Sequence, residues 1–170
     1  MSSPRQIVDA VVRSATIELF ASYGVAAAPV DLAVNAIINP QHELLGSISF
    51  TAPSLRGVLL LSAANRTLAK VAHESPESAL LRDWMRELTN QLMGRIKNRL
   101  SRYQLVLQAG LPGVVDGRMF EQSAKGASFR YAFRTLTGEI FVILVGDFDL
   151  SALTFSTVQS TAEEGDVILF

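Results

Sequence analysis

Glu87 and Asn90 are the residues whose types and spacing best suit them for chemistry. They stand three apart in the stretch from Asp83 to Gly113, DWMRELTNQLMGRIKNRLSRYQLVLQAGLPG. On a helix that spacing puts two side chains on one face with Cβ atoms about 5–6 Å apart. A carboxylate makes directional, charge-assisted bonds to cations. An amide accepts through its carbonyl and donates through its NH₂ group. Exposed helix faces also carry many Glu and Asn residues with no task, and Glu87 has Arg95 beyond the next turn as a surface partner worth a few tenths of a kcal/mol. Asn is a poor helix former, so its place in mid-helix near a glycine asks for a reason.

The helix that positions the pair is written in its apolar spacing. Leu81, Trp84, Met85, Leu88, Leu92 and Ile96 fall on one side at about 100° per residue. Asp83, Glu87, Asn90, Gly94 and Asn98 fall on the opposite side, toward solvent. Gly94 costs the helix roughly 1 kcal/mol relative to alanine, and the bare backbone there leaves room for another chain to come close. Pro76 is expected to open this helix, and Tyr103 to Ala109 is expected to follow it as a strand. Gly110 to Gly117 then reads as a glycine-rich loop.

The rest of the chain supplies a sheet and a second long helix. Ser2-Ser3-Pro4 is a capping hydroxyl followed by proline, and predicts a helix from Pro4 to Ser22 that buries Ile7, Val8, Val11, Val12, Ala15, Leu19 and Phe20. Tyr23-Gly24 stops it. Strands are expected over Val30 to Ile38, Leu44 to Thr51 and Arg56 to Ser62, the last apolar enough to be covered on both faces, with a turn at Asn39-Pro40. Asn65 is placed to cap a short helix ending near His73. Phe129, Tyr131 and Phe133 alternate with Arg130 and Arg134, and Thr137-Gly138 turns that strand into Glu139–Val145 as a hairpin. Three strands in a meander followed by helices give an α/β (α+β) domain: a mostly antiparallel sheet with two long helices on one face.

Composition narrows the class. The chain has 170 residues, 49% of them hydrophobic and 18% charged, a net charge of −1 and no cysteine. That is one domain with a substantial core, residues 4–148, and a Ser/Thr-rich tail over 149–170 whose apolar end, Asp166 to Phe170, is a candidate edge strand. The charge balance provides no field for nucleic acid. The absence of cysteine excludes thiol chemistry. Asp9, Arg13 and Glu18 interrupt the apolar N-terminal segment, and no apolar run reaches the ~20 residues of a spanning helix, so the chain is expected to be cytoplasmic and free of the membrane.

Asp83, Glu87 and Asn90 followed by a Pro-Gly turn resemble the signature of the CheC/CheX chemotaxis phosphatases, and the wider order fits the CheX branch. Gly46-Ser47-Ile48-Ser49-Phe50 leads to Gly57-Val58-Leu59-Leu60-Leu61, then to the helix with Glu87, Asn90 and Gly94, then to Leu111-Pro112-Gly113-Val114-Val115 and a late Gly138-Glu139-Ile140-Phe141 strand. The second ExxN of CheC-type members is missing, since Ala21 follows Glu18 at the third position. The resemblance implies a phosphatase for the aspartyl phosphate of a response-regulator receiver. Glu87 would dock on the receiver's lysine and Asn90 would position the attacking water. Asp83, Gly94 and Asn98 would contact the partner. Mg²⁺ would come bound to the receiver and the chain would have no cofactor of its own. It also implies a homodimer whose sheet continues across the interface. A CheX-like adaptor that grips a receiver without hydrolysis, or a dimerisation module, are the alternatives.

Other chemistries lack their parts. His42-Glu43 and His73-Glu74 do not have the spacing of a metal site. Neither histidine stands near a nucleophile elbow. The segment from Gly110 to Gly117 lacks the Gly-Lys-Ser/Thr of a phosphate loop. Arg95, Lys97, Arg99 and Arg102 make a basic helix end, favourable to the C-terminal dipole.

Overall fold

The computed structural model describes residues 3–31, 43–116 and 127–150. Helix α1 (Pro4–Ala21) begins at a capping box. Ser3 Oγ accepts from the Gln6 N–H at 3.3 Å and Gln6 Oε1 accepts from the Ser3 N–H at 2.7 Å. It ends in a Schellman turn: Val25 N–H bonds the Phe20 carbonyl at 3.0 Å and Gly24 N–H bonds that of Ala21 at 2.9 Å. Gly24 has φ +73°, the left-handed conformation that such a turn requires and that glycine adopts without cost. The expected apolar face is buried as a set, with Thr16 added; its hydroxyl donates to the Val12 carbonyl at 2.8 Å.

Strand β1 (Ala28–Val30) is followed by β2 (Glu43–Ala52), β3 (Leu55–Ala64), helix α2 (Asn65–Ala72) and helix α3 (Leu81–Ser101). Then come β4 (Gln108–Ala109), β5 (Gly113–Asp116), β6 (Ala127–Thr135) and β7 (Gly138–Phe148). All pairings are antiparallel, in the order β1-β6-β7-β3-β2-β4, with β5 also on β2. The α+β class and the β6–β7 hairpin match expectation. β2 and β3 make the expected hairpin, and β1 lies at the far edge on β6. The remainder of the strand expected past Asp31, the Asn39-Pro40 turn and the tail beyond Leu150 lie outside the described residues.

Four boundaries differ from the expected ones. Pro76 does not open α3; Ser78 N–H to Ser75 O and Leu81 N–H to Ser78 O close tight turns first, and the helix starts at Leu81. Asn65 does not cap α2. Extended backbone persists through Ala64 (ψ 142°), so Ala64 takes the capping position and the Asn65 Oδ1 is buried without a partner. Tyr103 to Leu107 is not a strand. The helix runs to Ser101 and a second Schellman turn consumes the next residues, with Gln104 at φ 62° and Leu105 N–H on the Leu100 carbonyl at 3.2 Å. The loop from Gly110 contains a strand, since Gly113–Asp116 pairs with Leu44–Ser47. Pro112, which lacks an N–H, separates the edge into β4 and β5.

One face of the sheet carries the main core. Ile48 and Phe50 of β2, Leu59 and Leu61 of β3, Phe129, Tyr131 and Phe133 of β6, and Ile140, Val142 and Leu144 of β7 join the buried faces of all three helices. Leu45, Leu60 and Ile143 form a smaller cluster on the other face. On β6, the Tyr131 hydroxyl donates to Asp9 Oδ1 at 2.7 Å, and Arg13 lies over its ring at 5.5 Å. Burial, then the bond to Asp9 and its charge, push the phenol well above its usual range, so it stays a neutral donor tying α1 to the sheet.

α3 lies on β2 at Gly46. A methyl group there would overlap Thr89 Oγ1 and lie 3.1 Å from Thr89 Cβ and 3.2 Å from Met85 Cγ. Gly46→Ala should therefore destabilise the domain by about 1–3 kcal/mol, the usual cost of overpacking. Chemical denaturation measures this, and an unchanged midpoint would contradict the close seating of α3.

Candidate functional site

The register that buries Met85, Leu88, Thr89, Leu92, Met93, Ile96 and Leu100 turns the opposite face of α3 outward. Asp83, Glu87, Asn90 and Asn98 are exposed on it and Gly94 is half-buried. At 1.5 Å per residue, the line from Asp83 to Asn98 is about 22 Å long. The structure thus brings all five expected residues onto one helix face, with Arg86 and Lys97 on the same side.

Their environments differ. Asp83 Oδ1 accepts from Arg86 Nη1 at 2.8 Å, an exposed pair that contributes little to stability. Glu87 does not reach Arg95. Its Oε1 accepts from Gln91 Nε2 at 2.7 Å, and Gln91 Oε1 accepts from the Tyr23 hydroxyl at 3.0 Å. Tyr23 stands edge-on to Trp84, with ring centroids 5.8 Å apart at 89°. Trp84 is half-buried and lines a shallow depression together with Asp83 and Glu87. The Asn90 amide has no hydrogen-bond partner among the described residues, so both its carbonyl and its NH₂ face outward.

Sequence spacing missed Tyr23 and Gln91. Gln91 stands four residues from Glu87, the distance of a helical neighbour, and that signal was present. Nothing in the sequence ties Tyr23 to it. The basic helix end also proves partly committed: Arg99 pairs with Glu18 and donates to Ser14 Oγ, joining α3 to α1. Glu18 is thereby occupied in packing.

Among the described residues no three His, Cys, Asp or Glu side chains are grouped to hold a metal ion, and no helix is long and apolar enough to cross a membrane.

A sheet with its helices gathered on one face is an architecture shared with known structures. A CheC-like superfamily protein from Shewanella sp. PV-4 is 17% identical and superposes with a TM-score of 0.69 over 83% of this chain and 97% of that one. The chemotaxis protein CheX from Vibrio vulnificus is 14% identical, with a TM-score of 0.67 over 86% and 100%. The CheX of a CheX–CheY–BeF₃–Mg²⁺ complex from Borrelia burgdorferi is 12% identical, with a TM-score of 0.63 over 80% and 95%. No curated protein matches the sequence significantly. The family of the chemotaxis phosphatase CheX matches residues 44–134, and the chain belongs to it.

Gly94 has no internal reason to be glycine, since a Cβ built on it meets nothing within 4 Å. Gly94→Ala should stabilise the isolated protein by up to about 1 kcal/mol through helix propensity. A rise in Tm checks this; a fall would mean that the site is packed more tightly than its open surroundings indicate.

Proposed function

We propose that the chain hydrolyses the aspartyl phosphate of a response-regulator receiver, with Glu87 docking the receiver and Asn90 positioning the water. The observation that carries this is the Asn90 amide, without a hydrogen-bond partner among the described residues and held outward one turn from an oriented carboxylate on a helix whose other face is locked in the core. Membership of the CheX family supports it. So does the likeness to a CheX bound to CheY with BeF₃ and Mg²⁺, in which BeF₃ stands in for a phosphoryl group.

The chemistry asks little of the protein. Phosphoryl transfer passes through a loose transition state in which bond making to the nucleophile contributes little. The main need is a water held in line with the departing carboxylate oxygen. The Asn90 carbonyl accepts a hydrogen bond from that water, and its NH₂ donates nearby. The water oxygen bonds to phosphorus as the bond between phosphorus and the aspartate oxygen breaks. The electron pair stays on the receiver's aspartate as a carboxylate, and both of the water's protons leave with inorganic phosphate, which then equilibrates with solvent. Glu87 contributes before this step, by a charge-assisted bond to the receiver's lysine that fixes register. Asp83 and Asn98 extend the contact along the helix, and Gly94 leaves space for the receiver's loops. The metal belongs to the receiver in this scheme.

The test follows phosphate loss from a panel of phosphorylated receivers. Wild type should accelerate loss from at least one. Asn90→Ala should lower kcat by about 100-fold or more, the scale of a lost positioning group, while still binding the receiver activated with beryllofluoride. Glu87→Ala should chiefly raise KM. A receiver that binds but keeps its phosphate at the spontaneous rate would replace the phosphatase by an adaptor.

A further inference from the structure

We propose that Tyr23 and Gln91 are positioning residues that set the orientation of Glu87, so that one carboxylate oxygen is held internally and the other is offered to the partner's cation. This rests on the docking role given to Glu87 above. The direction of the chain of hydrogen bonds follows from its end. An ionised carboxylate only accepts, so Gln91 must turn its NH₂ toward Glu87 Oε1, at 2.7 Å. That leaves the Gln91 carbonyl facing Tyr23, whose hydroxyl must then donate, at 3.0 Å. Tyr23 is fixed twice over: by the Schellman turn at the end of α1 and by its edge-on contact with Trp84 at 5.8 Å. Orientation therefore passes from the core-bound end of α1, through a phenol and an amide, to an exposed carboxylate on α3.

Glu87 Oε2 has no hydrogen-bond partner among the described residues, and the depression lined by Asp83, Trp84 and Glu87 lies beside it. A cation entering there meets the carboxylates of Asp83 and Glu87 beside Trp84. A free surface glutamate loses rotamer freedom when it docks, whereas one already held loses less. The relay should therefore act on binding and leave the chemical step, which belongs to Asn90, nearly unchanged.

Tyr23→Phe removes only the hydroxyl and keeps the ring against Trp84; Gln91→Met keeps length and helix propensity. Each should raise KM for the receiver selected in the phosphate-loss assay, and its Kd in the beryllofluoride form, by about three- to tenfold with kcat within twofold, as expected for lost pre-organisation. In a Glu87→Ala background Tyr23→Phe should have no further effect. A readout without any partner is the Glu87 side-chain rotamer distribution by NMR couplings: a single rotamer in wild type, averaged in both variants. Unchanged KM and Kd in both variants, or an equal loss with and without Glu87, would overturn the relay. So would an averaged Glu87 in wild type, whatever the receivers do. A wild type that binds receivers without hydrolysis would instead overturn the phosphatase assignment, with the relay still read in Kd.

Discussion

The position of α3 depends on an approach that only glycine permits. At Gly46 the sheet offers bare backbone, and Thr89 descends onto it, its hydroxyl returned to the Met85 carbonyl at 2.7 Å so that no buried donor is left unmet. The next residue along the helix is Asn90. With Thr89 seated against β2, helical geometry carries the Asn90 side chain away from the sheet and into solvent. The height of the candidate amide above the sheet is thus set from below, by the absence of a side chain on a strand.

Rotation of the same helix is set from the side. Arg99 reaches across to Glu18 and Ser14 near one end of the α1–α3 contact, and Tyr23 meets Trp84 and Gln91 near the other. Between these points the two helices pack through the main core. An isolated exposed ion pair would contribute little. Here Arg99 is mostly covered, and the polar ties add direction to apolar packing that already holds the helices together. A helix fixed in height and rotation would suit the proposed reaction, in which placement of a water matters most.

Much of this was legible in the sequence because it lies in periodic patterns. The apolar stripe of α3, the buried face of α1, the Ser3 cap and the alternation from Phe129 to Phe133 are local signals, and the structure follows each. The polar line from Asp83 to Asn98 was the complement of that stripe. What could not be seen was where local signals compete with tertiary pairing. Val114 and Val115 were hidden within a glycine- and proline-rich stretch, yet β2 needed an edge partner and took them. Leu105 and Leu107 alternate like a strand, but the left-handed Gln104 spends the residues before them on ending the helix. Gly46 stood out in the sequence without its reason, since Thr89 is far along the chain. Gln91 carried only its spacing from Glu87 and Tyr23 no mark at all, because their meeting depends on how two helices are set against each other.

The strand order has a consequence for how this molecule is made. β1 lies near the start of the described residues, yet its partner among them is β6, with Ala28 opposite Arg134. β7 sits between β6 and β3, so the sheet's centre is completed by one of the last described strands. The β2–β3 hairpin joins neighbouring residues, whereas β1 pairs with β6 and Asp9 of α1 meets Tyr131 from far along the chain. Pairings that span most of a chain fold slowly and leave strand edges open meanwhile. The helix bearing Glu87 and Asn90 thus rests on the most local pairing of the sheet, the β2–β3 hairpin, and meets α1 through contacts that do not involve the C-terminal hairpin.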